Sequence, residues 1–106
     1  MRSSKLRHLC GLRVVDAVLS EGNVGFSFEK GTSLAIYNKI ELVGFASNDE
    51  KMLIGNVVED VDEENNIIKI RFQNNLEIRI DMRDEAYVGP EAMQLRIPGE
   101  PIVIWS

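Results

Sequence analysis

Apolar and polar residues alternate along residues 67–81, IIKIRFQNNLEIRID, on either side of the polar segment 73–75. This period of two is typical of half-buried strands, so the stretch contains two of them. Pairing Ile70 with Ile78 places every apolar side chain on one face, which a shift by one residue would undo. The pattern therefore predicts a β-hairpin with a three-residue loop, whose last residue, Asn75, adopts a left-handed conformation.

The same pattern occurs 44 residues earlier in the chain. The apolar positions of the hairpin then fall on other apolar residues, namely Val24, Phe26, Phe28, Leu34 and Ile36. The same shift matches Asn75 with Gly31 and Gly55 with Gly11, and both pairs suit tight turns. We therefore predict an internal duplication, with repeats at about residues 3–38 and 47–82. Two copies are too few for a solenoid, so two half-domains around a shared core are expected.

The remaining segments complete the fold prediction. One or two short helices are expected, the better one after Ser47, which has the capping-box spacing to Glu50. The tail, residues 89–105, is expected to form a helix after Pro90 and then an edge strand from Pro101 to Trp105. The fold class is thus mainly β, a two-repeat antiparallel β-sandwich or barrel in a single domain over residues 1–106.

The composition also indicates the cellular compartment of the protein. With 106 residues the chain can bury one core without metal or disulfide support. Cys10 is the only cysteine, so no intramolecular disulfide forms and a reducing compartment is expected. The amino end has no apolar run typical of a signal peptide or a membrane span. We therefore expect a cytoplasmic protein that does not enter a membrane.

The charge balance disfavours nucleic acid as a partner. Seventeen acidic and 12 basic residues give a net charge of −5. Nucleic-acid binding depends on Lys and Arg at phosphates, and an acidic chain lacks that contribution unless its basic residues cluster. Arg71 and Glu77 face each other across the hairpin and are expected to form an ion pair instead. An RNA-binding barrel would need a contiguous basic surface of Lys69, Arg71, Arg79 and Arg83.

The residue types of known catalytic and metal sites are few. His8 and Cys10 are two positions apart, so on a short helix their side chains point to different faces. One His and one Cys lack the spacing of a zinc site. The acidic segment 60–64 lacks the Gly and the distant Glu of a calcium loop. We expect no enzyme activity, no metal and no cofactor.

Carboxylates are instead the functional groups that cluster most densely along the chain. Complementary charge accelerates association with a basic partner, so the acidic residues are the candidate binding surface. The candidate partner-binding residues are Glu59, Asp60, Asp62, Glu63, Glu64, Asp81, Asp84 and Glu85.

In its size, acidity and β pattern, the whole chain resembles the small bacterial immunity proteins of contact-dependent-inhibition and polymorphic toxin systems. The tail YVGPEAMQLRIPGEPIVIW, from Tyr87 to Trp105, also resembles tails of small bacterial proteins of this kind. The resemblance implies tight binding of a cognate toxin domain, often a basic nuclease, and coverage of its active site. We expect such an inhibitor to be a monomer or a weak dimer.

Two other functions fit the same pattern. A small-ligand or peptide-binding β-barrel would use a cleft between the halves, ringed by Tyr37, Tyr87 or Trp105. A homo-oligomeric structural protein would join its copies through the edge strand from Pro101 to Trp105.

Overall fold

The computed structural model describes residues 5–20, 23–45 and 50–105, with the backbone alone described at Glu50. These residues form nine strands and four short 3-10 helices. The strands are β1 (Val14–Ser20), β2 (Asn23–Phe28), β3 (Ser33–Ile36), β4 (Ile40–Val43), β5 (Val58–Glu64), β6 (Ile67–Phe72), β7 (Glu77–Asp81), β8 (Met93–Arg96) and β9 (Val103–Trp105). The 3-10 helices span Lys5–Leu9, Glu29–Gly31, Glu50–Met52 and Asp84–Ala86.

The strands form two antiparallel sheets around one apolar core. The first sheet has the order β1-β2-β3-β8-β9, and the second has the order β4-β7-β6-β5. Alternate residues of β2, β3, β6, β7 and β8 are buried, as the period of two requires. The structure is therefore mainly β, as predicted, and of the two predicted closures it is the sandwich and not the barrel.

The central hairpin has the predicted register. Ile70 pairs with Ile78, and the backbone N–H of Phe72 donates to the carbonyl oxygen of Leu76 over 2.8 Å. Asn75 has a φ of 62°, in the left-handed region. The three-residue loop is thus confirmed, and its conformation follows from the tolerance of Asn for positive φ.

Backbone hydrogen bonds repeat at an offset of 44 residues. The N–H of Gly11 donates to the carbonyl oxygen of Val58, and the N–H of Gly55 donates to that of Val14, each over 2.8 Å. Both contacts join one half of the chain to the other, on either side of an isolated bridge between Arg13 and Val57. Gly11 and Gly55 are equivalent positions, and so are Val14 and Val58, so each of these two hydrogen bonds is the counterpart of the other. The two halves are therefore related by a pseudo-two-fold axis near this bridge.

The core follows the same relation. Equivalent positions are buried in both halves: Leu9 and Leu53, Val14 and Val58, Ala17 and Val61, Val24 and Ile68, Phe26 and Ile70, Phe28 and Phe72, Leu34 and Ile78, Ile36 and Ile80. The inward faces of the two sheets are therefore built from one pattern used twice.

Each half gives one strand to the sheet of the other half. β4 pairs with β7 through Ile40 and Ile80, whereas β8 pairs with β3 through Met93 and Ile36. β4 and β8 are thus equivalent, but at an offset of 53 residues. The nine additional residues lie between β7 and β8, where the chain makes the 3-10 helix Asp84–Ala86.

The helix predicted after Pro90 is wrong, because Met93–Arg96 is the strand β8. Met93 and Leu95 are buried while Arg96 is exposed, which is the alternation expected of a strand. Four residues are too few for this alternation to be recognised in the sequence. Pairing with β3 overrides the helix-start signal of the residues before it. The final segment is an edge strand as predicted, over Val103–Trp105. The predicted cap at Ser47 lies outside the described residues.

Candidate partner-binding surface

The acidic residues of the second half are concentrated on an exposed sheet edge. β5 is the outermost strand of the second sheet, and five of its seven residues are acidic. Val58 and Val61 attach it to the core, because both side chains are buried. The structure therefore presents the acidic residues of β5 on the outside of the molecule, while Val58 and Val61 hold the strand in place.

Carboxylates project from both sides of this edge. Asp60 and Asp62 lie opposite Arg71 and Lys69, on the outer face of the sheet. Glu63 lies opposite the buried Ile68, so it stands on the core side at the rim of the sandwich and is exposed there. A partner approaching β5 edge-on would meet negative charge on either side of the strand.

Asp60 is held by the chain itself. Its Oδ1 accepts a hydrogen bond from the N–H of Val61 over 2.9 Å, at a β-bulge between Val58 and Asp60. Its Oδ2 accepts from Arg71 Nη2 over 2.7 Å, and Arg7 Nη2 lies 3.5 Å from Oδ1. The hydrogen bond from Val61, and then the one from Arg71, lower the pKa of Asp60 below its ordinary value.

Three arginines of the second sheet each pair with two carboxylates. Arg71 Nη2 lies 2.7 Å from Asp60 and 3.8 Å from Asp62. Arg79 pairs with Glu77, and its Nη1 lies 3.7 Å from Glu41. Arg83 lies 2.7 Å from Asp81 and 3.7 Å from Glu85. These three acid–arginine–acid groups place two carboxylates at each arginine, so the arginines neutralise half of these carboxylates.

The expected ion pair between Arg71 and Glu77 is wrong. The two residues do face each other in the β6–β7 register, as predicted. However, Arg71 extends to Asp60 on its other neighbouring strand, and Glu77 binds Arg79 two residues along its own strand. A strand in the middle of a sheet has two neighbours, so the hairpin alone does not determine the partner.

Asp81 is the most strongly held of the predicted binding residues. Arg83 binds both of its carboxylate oxygens through the side chain, and the backbone N–H of Arg83 donates to Oδ1 over 3.0 Å. These contacts lower the pKa of Asp81 to about 2. Asp81 is therefore a structural carboxylate as well as a surface one.

Five of the eight predicted residues lie at one end of the second sheet. The N–H of Met82 donates to the carbonyl oxygen of Asn66 over 2.8 Å, which joins the tip of the β5–β6 hairpin to the segment after β7. This end carries Glu63, Glu64, Asp81, Asp84 and Glu85. Glu59 and Asp60 lie towards the opposite end of β5, about 15 Å away at roughly 3.3 Å per residue.

The eight residues also differ in how far they are neutralised. Asp60, Asp62, Asp81 and Glu85 contact an arginine. Within the described ranges, the other four of the eight, Glu59, Glu63, Glu64 and Asp84, make no ion pair. These four are therefore the predicted binding residues whose charge is most available to a partner.

Arg7 is a surface residue that the sequence did not indicate. Its Nη1 donates to the carbonyl oxygen of Val61 over 2.8 Å, from a 3-10 helix 54 positions earlier in the chain. This hydrogen bond satisfies a main-chain acceptor on the open edge of β5. No pattern along the chain links the two residues, because the contact depends on how the two halves meet.

The outer face of the first sheet contains a shallow hollow. Small residues form its floor, namely Gly25, Ser27, Ser33 and Ala35, and the hollow has a volume of about 230 Å³. Asp16 and Val18 border it on β1, whereas Gln94 and Arg96 border it on β8. It lies on the outside of one sheet and not in a cleft between the halves, and its lining differs from the predicted ring of aromatic residues.

The other candidate chemistry stays dispersed in the structure. His8 is exposed and Cys10 is half-buried in and after the first 3-10 helix. In the described part of the chain, no three His, Cys, Asp or Glu side chains are grouped so that they could hold a metal ion. The helices of residues 5–20, 23–45 and 50–105 are all too short to cross a membrane.

Comparisons with models of protein families, with curated proteins and with solved structures found no match.

Proposed function

We propose that this protein is an inhibitor of the immunity-protein type, which binds a basic toxin domain through the acidic edge of its second sheet. The proposal rests on the exposure of the β5 glutamates and on their lack of ion pairs within the described residues. Glu59, Glu63 and Glu64 are exposed on an edge strand, and none makes an ion pair within the described residues. A partner would therefore gain contacts to these charges without first breaking contacts inside the chain.

Side chains, rather than the main chain, would make the recognition. Arg7 already occupies the carbonyl oxygen of Val61 on the open edge of β5. Carboxylates on both sides of an edge strand also hinder pairing with another strand. The acidic edge is thus suited to Lys and Arg side chains of a partner and unsuited to extension of the sheet.

The charge of the whole molecule supports the same kind of partner. A net charge of −5 favours the approach of a basic protein, and such steering weakens as salt rises. Three of the four basic residues that would form a nucleic-acid surface, Arg71, Arg79 and Arg83, are each held between two carboxylates, which favours a protein partner. We propose binding without catalysis as the activity.

The test reverses the charge of the two residues at the tip of the edge. The double variant Glu63→Lys and Glu64→Lys is mixed with a basic toxin domain that the unchanged protein binds, and association is followed by stopped flow at several salt concentrations. We expect the association rate at low salt to fall about tenfold or more, and the salt dependence to become shallower. Protection of cells that express the toxin domain should fall with it.

A matched control makes the same change in net charge elsewhere. Glu91 and Glu100 lie in the segments before and after β8, and changing both to Lys should leave the association rate within about twofold of the unchanged protein. Equal losses in the two double variants would mean that only net charge matters and would remove β5 from the proposal. An unchanged rate in the β5 variant would do the same.

A further inference from the structure

The two halves match on their inner faces but differ sharply on their outer faces. At the offset of 44 residues, the outward positions of the first sheet are small or apolar where those of the second sheet are charged. The pairs are Val18 and Asp62, Gly25 and Lys69, Ser27 and Arg71, Ser33 and Glu77, Ala35 and Arg79. One face of the sandwich is therefore covered by long charged side chains. The opposite face, the outer face of the first sheet, has small or apolar side chains at these positions and is called the bare face below.

Asp16, whose Oδ1 accepts a hydrogen bond from the N–H of Ala17, and Arg96 border the bare face. Asp16, Ser27, Ser33 and Arg96 are paired in turn across β1, β2, β3 and β8, so they form one row over the sheet. At about 4.8 Å between strands, the backbones of Asp16 and Arg96 at the two ends of this row are roughly 14 Å apart. Among the residues that the structure describes, neither Asp16 nor Arg96 makes an ion pair.

This arrangement is complementary to itself. If a second copy faces the first, related by a two-fold axis that runs along the strands between β2 and β3, positions on β1 of one copy lie over β8 of the other. Asp16 of each copy then meets Arg96 of the other, because both residues belong to the same row. A two-fold interface is isologous, so a single row supplies two ion pairs.

We propose that the bare outer face of the first sheet is a self-association surface, on which a second copy of this chain packs face to face. Gly25 and Ala35 in the middle of the face allow the two sheets to approach more closely than the usual separation of about 10 Å. Val18, which is 44% exposed, would be covered at the side, because its row over the sheet ends at Gln94 and the two positions meet across the interface. No feature of this surface overlaps the acidic edge on β5.

The dimer is weak because the face is small. Four strands about 4.8 Å apart and four residues long span roughly 250 Å² in each copy. Stable protein interfaces bury about 800 Å² in each partner. We therefore expect a rapid monomer–dimer equilibrium, with dimers present at hundreds of micromolar and few at micromolar concentration.

Sedimentation equilibrium from about 10 µM to 1 mM tests the proposal with a charge exchange. The mass should rise from 12.0 kDa towards twice that value over this range. The variant Asp16→Arg and the variant Arg96→Asp should each weaken association tenfold or more, because like charges then meet. The double variant Asp16→Arg/Arg96→Asp restores opposite charges in the interface and should restore association to within about threefold.

A steric variant tests the same face without changing the charge row. Ala35→Arg copies the residue that the second half carries at the equivalent position, so the sheet can accept it, as Arg79 shows. It should abolish the dimer while circular dichroism and thermal unfolding stay unchanged. The matched control Gln73→Arg adds the same side chain and the same charge at an exposed position after β6 and should leave association unaffected.

Several results would overturn the proposal. The first is a mass that stays at the monomer value up to 1 mM. The second is a dimer that persists in the Ala35→Arg variant, since that dimer would use another surface. The third is a double charge exchange that fails to recover association while both single variants weaken it.

Discussion

At the scale of single residues, the behaviour of a carboxylate in this protein depends on whether an arginine lies beside it. Asp60 and Asp81 each accept hydrogen bonds from a backbone N–H and from an arginine side chain, and their pKa values are lowered. Glu63 and Glu64 sit on the same sheet without such contacts in the described residues. The sequence identifies all four as acidic and near one another. Their different roles follow from pairing across strands, which the sequence does not show.

The stability of the protein should fall in acid partly through Asp81. Its pKa is about 2 in the folded chain, against 3.8 ordinarily, so between these values the unfolded chain binds the proton more readily. The stabilising contribution is therefore complete above about pH 5 and is lost as the pH falls from about 4 to about 2. Denaturant unfolding from pH 7 to pH 2 should show that Asp81→Asn lowers stability at pH 7 and that the difference from the unchanged protein shrinks over this range.

Arg83→Gln provides the matched control for that prediction, because it removes the partner and keeps the carboxylate. It should reproduce most of the effect, and combining the two changes should add little. A difference between Asp81→Asn and the unchanged protein that stays constant down to pH 2 would contradict the role given to this pair.

At the scale of elements, the sequence predicted those features that the local pattern of residues determines. The hairpin register, the left-handed Asn75 and the matching first half follow from the period of two and from loop length. β8 could not be predicted in this way, because Met93–Arg96 is too short for its period to outweigh Pro90 and Glu91. The hollow on the first sheet was also missed, although the sequence did carry a signal. Aligning the two halves shows small residues where the other half has charged ones.

The two tight loops allow a paired test of the left-handed positions. Asn75→Ala should destabilise the fold by about 1 kcal/mol, since Ala tolerates the left-handed region poorly, whereas Asn75→Gly should be close to neutral. Gly31→Ala should destabilise more than Asn75→Ala, because its added Cβ would lie 3.0 Å from Cγ of Pro98. Chemical denaturation measures all three variants. A loss in Asn75→Gly equal to that in Asn75→Ala would show that the Asn side chain matters more than its backbone.

At the scale of the whole molecule, the exchange of β4 and β8 makes the two sheets depend on each other. Each sheet contains a strand, β4 or β8, whose preceding strand in the sequence belongs to the other sheet. The buried side chains of both sheets also form one core. The duplicated pattern therefore does not produce two independent units, and unfolding should be a single cooperative transition.

A pair of equivalent core residues tests this cooperativity. Phe28 and Phe72 are each 2% exposed, one in each sheet, and replacing either by Ala should lower the free energy of unfolding by about 3–5 kcal/mol. Trp105 is the only tryptophan and lies in the first sheet, so its fluorescence reports on that sheet. In Phe72→Ala, the fluorescence midpoint should move with the circular dichroism midpoint. Separate midpoints would show that the sheets unfold independently.

The pseudo-two-fold axis at the bridge between Arg13 and Val57 has a consequence for what the surface can become. Two separate chains related by such an axis would be obliged to carry identical exteriors, and any substitution useful on one side would be imposed on the other. Joining the halves covalently keeps them together at any dilution and removes that obligation. The outer face of the second sheet can then carry many charged side chains while that of the first sheet carries few. The shared core stays nearly symmetric.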